Sequence, residues 1–567
     1  MVKQEQVSGH WFNQRLVLFV LIIAAALFIH GTAVTASSSL PIHGSVAMWA
    51  EEHPGEPVPL IVQHDGTPDD LLAFVRESGG VVEREFHIVP AIDIEVPANV
   101  VNGLAGQGDV EWISLDAPVT STAVSGSPDP NALATAYPFA VGATDAWFAG
   151  FTGAGVTVAL VDTGVSQDAQ QDFTGAGGGR RVQWVTVSDL DKNQDGFGHG
   201  THVGGIIAGR STTNELADKY TGIAPAANIL SVRIADDEGN ATVGDLMAGL
   251  EWVDDNRDDY NIRVLNLSVS SSIAQSYTVD PIDAAVELLW FHGIVVVVAA
   301  GNEGDASDAV SYPPANDPFV ITVGAFDDQG TASLKDDRLA SWSSRGTTQD
   351  GFAKPELLAP GANIVAPVSD ESYLAETYPQ AIVQTKGDVA YFQMSGTSMS
   401  TGVVSGAAAL MLEAHPEWTP GEVKDVLLET ARSVKGKGGA VRVDDAVAFS
   451  EVPESTDDEL TPNYILLAAL LADAVATGDV ELGLDGIRWR DADGIWHETS
   501  FEGIRWRDVD FDGIRWRGLD FDGIRWRDVD WSGIRWRGLD FEGIRWRGLD
   551  FDGIRWRGIR WRSFVEN

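Results

Sequence analysis

At 567 residues, 44% of them hydrophobic, the chain is too long for one typical domain and too apolar to be mostly disordered. It has no cysteine, which excludes disulfides, thiolate metal sites and a cysteine nucleophile, though not export, because a large core needs no crosslink. The formal charge is −45, and residues 1–480 carry −43 of it (65 Asp/Glu against 22 Lys/Arg), so the body repels phosphate backbones and nucleic acid is disfavoured as a partner.

At the N-terminus, Lys3 and Arg15 precede LVLFVLIIAAALFI (16–29), an apolar run of 14 residues. A membrane span needs about 20. Small residues at Val34 and Ala36 fit cleavage after Ala36, so 1–36 reads as a signal peptide, with an uncleaved anchor as the alternative. A small α+β unit follows within 37–125. PLIVQH (59–64) and IDIEVP (92–97) read as strands, and DDLLAFVRESGG (69–80) and VVNGLAGQ (100–107) as helices. The loop STAVSGSPDP (121–130) after it gives the unit the form of a detachable pro-segment.

Over 126–450 strands and helices alternate. GVTVALVD (155–162), ILSVRI (229–234), VLNLSV (264–269) and IVVVVAAGN (294–302) are nearly continuous in apolar residues, as in strands covered on both faces. Helical patterns at 244–256 and 280–293 lie between them, so a parallel sheet sandwiched by helices is expected, with its site at the carboxyl ends of the strands. An acidic linker with a short helix (464–478) fills 451–484. From 485 to 562 a decapeptide recurs, GIRWR occurring eight times. Its Ile/Trp and Arg alternate as in a strand, with Gly and Asp at turns, so a small β array and a flexible tail are both open. This tail is nearly neutral, with 18 acids and 16 arginines over 481–567.

The chemistry lies in the alternating region. Asp162 ends a buried strand, where it either caps a turn or orients a base. His199 and His202 sit in GFGHGTHVGG (196–205) among glycines that allow close approach; the pair lacks the glutamate of a zinc-binding H-E-x-x-H. Asn302 follows another buried strand, as a turn residue or as a donor to developing negative charge. FQMSGTSMSTGVVSGAAALM (392–411) holds Ser395, Ser398, Ser400 and Ser405, with a helix starting near Ser398, and a helix N-terminus favours the charge of acyl transfer. A serine becomes a nucleophile only beside a base. Asp162, His199, Asn302 and Ser398 together supply every part that such a reaction needs.

DTGV, HGTHVGG, AAGN and GTSM, in this order, resemble the subtilisin-like serine proteases over about 130–450. GIAP (222–225), SWSSRG (341–346) and LLAPG (357–361) match further signatures of that family, and 57–118 resembles its inhibitory propeptide. The resemblance implies a three-layer α/β fold and a secreted zymogen that cleaves polypeptides. It makes Ser398 the nucleophile, His199 the general base and acid, Asp162 the carboxylate that fixes the imidazole, and Asn302 an oxyanion donor. Ser268, Val269, Ser270 and Gly301 fall on the substrate-binding positions. Gly402 and Val403 stand where proline and histidine are usual, and Ser270 where glycine is frequent, which leaves the P1 preference open. Calcium is implied as a structural ion, with no catalytic metal. Asp191, Asn193 and Asp195 before Gly196 resemble half a calcium loop, or else a polar turn into the His199 helix. The expected setting is extracellular or cell-surface and prokaryotic, the tail binding a surface polymer or protein. The alternative is a catalytically silent scaffold.

Overall fold

The computed structural model describes residues 41–466, except 54–55, 65–67, 108, 122–134, 175–180, 188–189, 191–193, 211–218, 435–437, 451–454 and 465, together with short strands between 480 and 561. The segment expected as a signal peptide (1–36), the loop at 122–134, Asp191, Asn193 and most of the helix expected over 464–478 lie outside the described residues. Residues 41–466 form one unit and the C-terminal strands belong to another.

The first unit opens with α1 (Gly44–Glu52), β1 (Pro57–His64), α2 (Asp69–Glu77), β2 (Val81–Phe86), β3 (Ala91–Pro97) and β4 (Val110–Leu115). The strands make an antiparallel sheet in the order β2-β3-β1-β4, and Leu71, Leu72 and Val75 of α2 are buried. The chain then leaves that sheet. β5 (Pro118–Ser121) lies antiparallel between β9 (Ala241–Thr242) and β11 (Val269–Ser271).

The large sheet contains β6 (Thr157–Asp162), β7 (Val182–Thr186), β8 (Asn228–Arg233), β10 (Ile262–Leu267), β12 (Val295–Ala299), β13 (Ile321–Asp327) and β14 (Leu357–Pro360), all parallel, in the order β14-β13-β12-β10-β6-β8-β7. β6 and β12 are buried at every position, which is why their apolar residues run without alternation. Helices α3 (His199–Ala208) and α6 (Thr397–Ala414) pack on each other and on the sheet, and so do α4 (Val243–Asp255) and α5 (Pro281–Phe291). After β6 the chain builds β7 and β8 to one side, then crosses to β10 on the other. The crevice beyond the carboxyl end of β6 is therefore the topological switch point, where such sheets place their ligands.

Residues 455–466, expected within a linker, are fastened to this unit. The Asn463 backbone N–H donates to Glu287 Oε2 (2.7 Å) and its amide to the carbonyls of Tyr277 and Asp280, while Trp290 Nε1 donates to Asp457. In the second unit, the described RWR strands pair in parallel with the repeat twenty residues on: Trp506 opposite Trp526, and Trp516 opposite Trp536 opposite Trp556.

Around α5, Asp280, Asp283, Glu287 and Asp317 are all buried. Burial first, then neighbouring carboxylates, holds Asp283 and Glu287 well above the usual range; burial raises Asp280 to about 7 against hydrogen bonds from the Asp283 and Ile282 N–H groups. The folded state thus favours the neutral acids, a contribution complete below the unfolded value of 3.8 for Asp280 and lost as pH climbs through about 7. Melting curves of the Ser398→Ala chain should show Tm falling as pH rises through 7. Glu287→Gln, which keeps the neutral shape, should flatten that fall; an unchanged slope would count against the cluster as its source.

Candidate active site

His199 is the first residue of α3 because Gly198 before it adopts φ +102°, a left-handed conformation that only glycine takes without strain. Gly200 then lets α3 rest on the end of β6, since a Cβ there would meet the Gly164 carbonyl at 2.2 Å. This seating brings His199 Nδ1 to 2.8 Å from Asp162 Oδ1 at the tip of β6, both side chains fully buried. A carboxylate only accepts, so Nδ1 carries the proton and Nε2 is the acceptor nitrogen. Nε2 has no hydrogen-bond partner among the described residues. Asp162 Oδ1 also accepts the Thr163 N–H at 2.7 Å. Burial pulls the imidazole pKa down, but the charge and hydrogen bond of Asp162, with a smaller push from Asp195, leave it above the usual 6.5.

Ser398 occupies the first turn of α6, the helix packed against α3. Its Oγ donates to the Ser268 carbonyl at 3.4 Å. Next to it, the Thr397 N–H donates to Asn302 Oδ1 at 3.1 Å. That bond settles which end of the amide is which: the oxygen is engaged by the helix, and the half-buried side chain presents Nδ2 as its donor. Thr397 was not singled out in the sequence, although its place before the nucleophile was the available signal.

The other serines are structural. Ser395 Oγ accepts the Asn363 N–H, Ser400 Oγ donates to the Ala359 carbonyl and Ser405 Oγ to Asn266 Oδ1. His202 bonds the Phe392 carbonyl through Nε2, and burial drives its pKa down to about 3, so it stays neutral. Gly402, where proline was usual, lies against α3: a Cβ there would stand 3.2 Å from Ile206.

Of the expected substrate-binding residues, Val269 and Ser270 lie on β11, paired with Ser121 and Thr120 of β5, and Ser268 immediately precedes them. Gly301 donates its N–H to Thr397 Oγ1. Asp195 does not fit a calcium ligand. Its Oδ1 accepts from the Thr163 hydroxyl and the Gly198 N–H, and its Oδ2 from the N–H and hydroxyl of Thr201, so both oxygens are committed within the protein. Among the described residues no group of three or more His, Cys, Asp or Glu is arranged to hold a metal ion.

A buried Asp–His pair, a serine opening a helix and an oriented amide beside it form the usual equipment of acyl transfer. Residues 153–451 match the Subtilase family. Serine protease AprX of Bacillus subtilis is 40% identical over 283 residues, 49% of this chain and 61% of that protein. Alkaline protease of Shouchella clausii is 29% identical over 410 residues, 70% of this chain and 91% of the other, and Subtilisin E of Bacillus subtilis 30% over 362 residues, 63% and 79%. Among solved structures, fervidolysin from Fervidobacterium pennivorans, described as a keratinolytic enzyme related to subtilisin, superposes with a TM-score of 0.55 at 25% identity over 71% of this chain and 62% of its own. The chain thus spans about three fifths of AprX and of fervidolysin. With its parallel sheet, its flanking helices and its matched motifs, the chain belongs to the subtilase family.

Proposed function

We propose that this protein is an exported serine endopeptidase, made as a zymogen, that cuts peptide bonds through an acyl-enzyme. The observation that carries the reading is the buried Asp162–His199 hydrogen bond on a helix packed against the one that bears Ser398. Ser398 Oγ bonds to the substrate carbonyl carbon as its proton passes to His199 Nε2. The C–N bond then breaks, that proton goes to the leaving amine, and an ester remains on Ser398. A water then bonds to the ester carbon as it gives a proton to the same nitrogen; the C–O bond to Ser398 breaks, that proton returns to Oγ, and the acid leaves. Asp162 keeps the tautomer and balances the imidazolium. Asn302 Nδ2 and the Ser398 N–H would donate to the oxyanion, a role supported by the Thr397 N–H holding the Asn302 oxygen.

The N-terminal subdomain supports the zymogen. β5 fills the place beside β11 where a substrate strand is expected. Asp116 accepts the Gly244 N–H at 2.7 Å, Arg84 donates to the Gly244 carbonyl, and Glu251 accepts the N–H groups of His87 and Ile88, all tying that subdomain to α4. Ser268, which precedes the Val269 paired with Ser121, has its carbonyl 3.4 Å from Ser398 Oγ, so the end of β5 runs toward the nucleophile. Export rests on the segment at 1–36, and among the described residues no helix is long and apolar enough to cross a membrane. The repeat tail is proposed to hold the enzyme to a surface polymer or protein.

N-terminal sequencing of the matured protein should find its new N-terminus within 117–135, and Ser398→Ala should remain intact; the mutant already cut in that loop, with no host protease able to do it, would refute self-processing. Because the base must be neutral and its pKa is raised, kcat/KM should fall on the acid side with a midpoint above 6.5. Asp162→Asn should lower both the rate and that midpoint. Asn302→Leu should cost about 10²–10³ in kcat with KM little changed, a range set by a member of this same family. A chain ending at residue 484 should digest casein normally yet lose cell attachment; retained attachment would exclude the tail as the anchor.

A further inference from the structure

Asp195 has no part in the chemistry above and does not fit the metal role, yet it is 1% exposed and accepts four hydrogen bonds. A buried carboxylate is costly unless fully bonded, so its retention calls for a reason. Burial pushes its pKa up, and the bonds from Thr201, Gly198 and Thr163 oppose that push. With four donors facing it, the ionised form is the one that satisfies them all.

Its partners flank the reacting groups. Thr163, whose hydroxyl lies 2.8 Å from Asp195 Oδ1, follows Asp162 and gives its own N–H to Asp162 Oδ1. Gly198, with its N–H 2.7 Å from the same oxygen, precedes His199. Gly200, on the other side of His199, donates its N–H to the Thr163 hydroxyl at 2.9 Å. Thr201 gives Oδ2 both its N–H (2.8 Å) and its hydroxyl (2.6 Å). Capping α3 would need only the bonds to its first turn. The bond to Thr163 adds something that a cap does not, because it ties the end of β6 to the start of α3 on both sides of the Asp162–His199 pair.

We infer that Asp195 is a positioning residue, which acts through Thr163 and the first turn of α3 to hold Asp162 and His199 in register. This rests on the reading of Asp162, His199 and Ser398 as the catalytic set.

The test uses the full chain with Asp195→Asn, Thr163→Val and Thr163→Ser. Asparagine keeps the size but turns an NH₂ toward donors on one side, and valine removes the relaying hydroxyl without touching either carboxylate. Both should lower kcat by about 10- to 100-fold at near-constant KM, the scale of a small misplacement. Thr163→Ser should restore it, and the Tm of Thr163→Val should stay near wild type. The low-field proton resonance of His199 Nδ1–H reports the bond to Asp162 without turnover. It should shift in Asp195→Asn and Thr163→Val and return in Thr163→Ser. An unmoved resonance and an unmoved kcat in both variants would overturn the inference, as would losses of kcat that track losses of Tm. If Asp195→Asn does not fold, Thr163→Val decides. A wild type without turnover, whose resonance still answers to these variants, would sink the protease reading and leave the positioning standing.

Discussion

One interaction recurs at several loops and helix starts of this chain: a carboxylate accepting backbone N–H groups. Asp195 does so for Gly198 and Thr201, Asp280 for Ile282 and Asp283, Asp317 for Phe319 and Val320, and Glu413 for Thr152 and Gly153. Glu287 does it for Asn463, and Asp116 for Gly244. Where the carboxylate stays ionised, as at Asp195, such bonds are charge-assisted and stronger than neutral ones, and at a helix start they also meet the favourable end of the dipole. A protein without cysteine, carrying 83 acidic residues, has this as its available crosslink. Its acidity is therefore structural as well as superficial.

At the site, the same logic orders two helix starts. α3 begins at the base and α6 at the nucleophile, and each has a side chain from elsewhere engaged with its first turn: Asp195 for α3, Asn302 for α6. The two bonds have different consequences. Asp195 is consumed by its bonds. Asn302 is oriented by one, its oxygen turned to the helix and its nitrogen left as the donor.

Much of this was legible in the sequence, because apolar runs such as VVVVAAGN and glycine clusters such as GFGHG state local conformation directly. β6, β10, β12, α4 and α5 fall within a few residues of their expected spans, and Asp162, His199, Asn302 and Ser398 stand at strand ends or helix starts as anticipated. What local pattern does not carry is partnership. Nothing in PVTS (118–121) says that it pairs with 269–271 across some 150 residues, so β5 went unseen. D-x-N-x-D before a glycine reads alike as a metal loop and as a buried brace, and only the four donors around Asp195 separate the two. The segment 455–466 looked like a linker because its charge was visible and its docking through Asn463 was not. The repeats spoke for strands but not for which strand pairs with which. Even so, RDVD (507–510, 527–530) and RGLD (517–520, 537–540) alternate over four successive copies at the twenty-residue spacing of the pairing, an alternation that RGLD at 547–550 then breaks.

That pairing makes the tail count in pairs. Among the described repeats, 505–507 pairs with 525–527 in one sheet, and 515–517, 535–537 and 555–557 pair in another. Duplication of a single decapeptide would exchange the sheet that each described strand downstream joins. Duplication of two would lengthen both sheets by one strand, about 4.8 Å, and leave all existing matches intact. Twenty residues, rather than the ten of the sequence repeat, are therefore the unit whose copying would leave the pairing of these strands undisturbed.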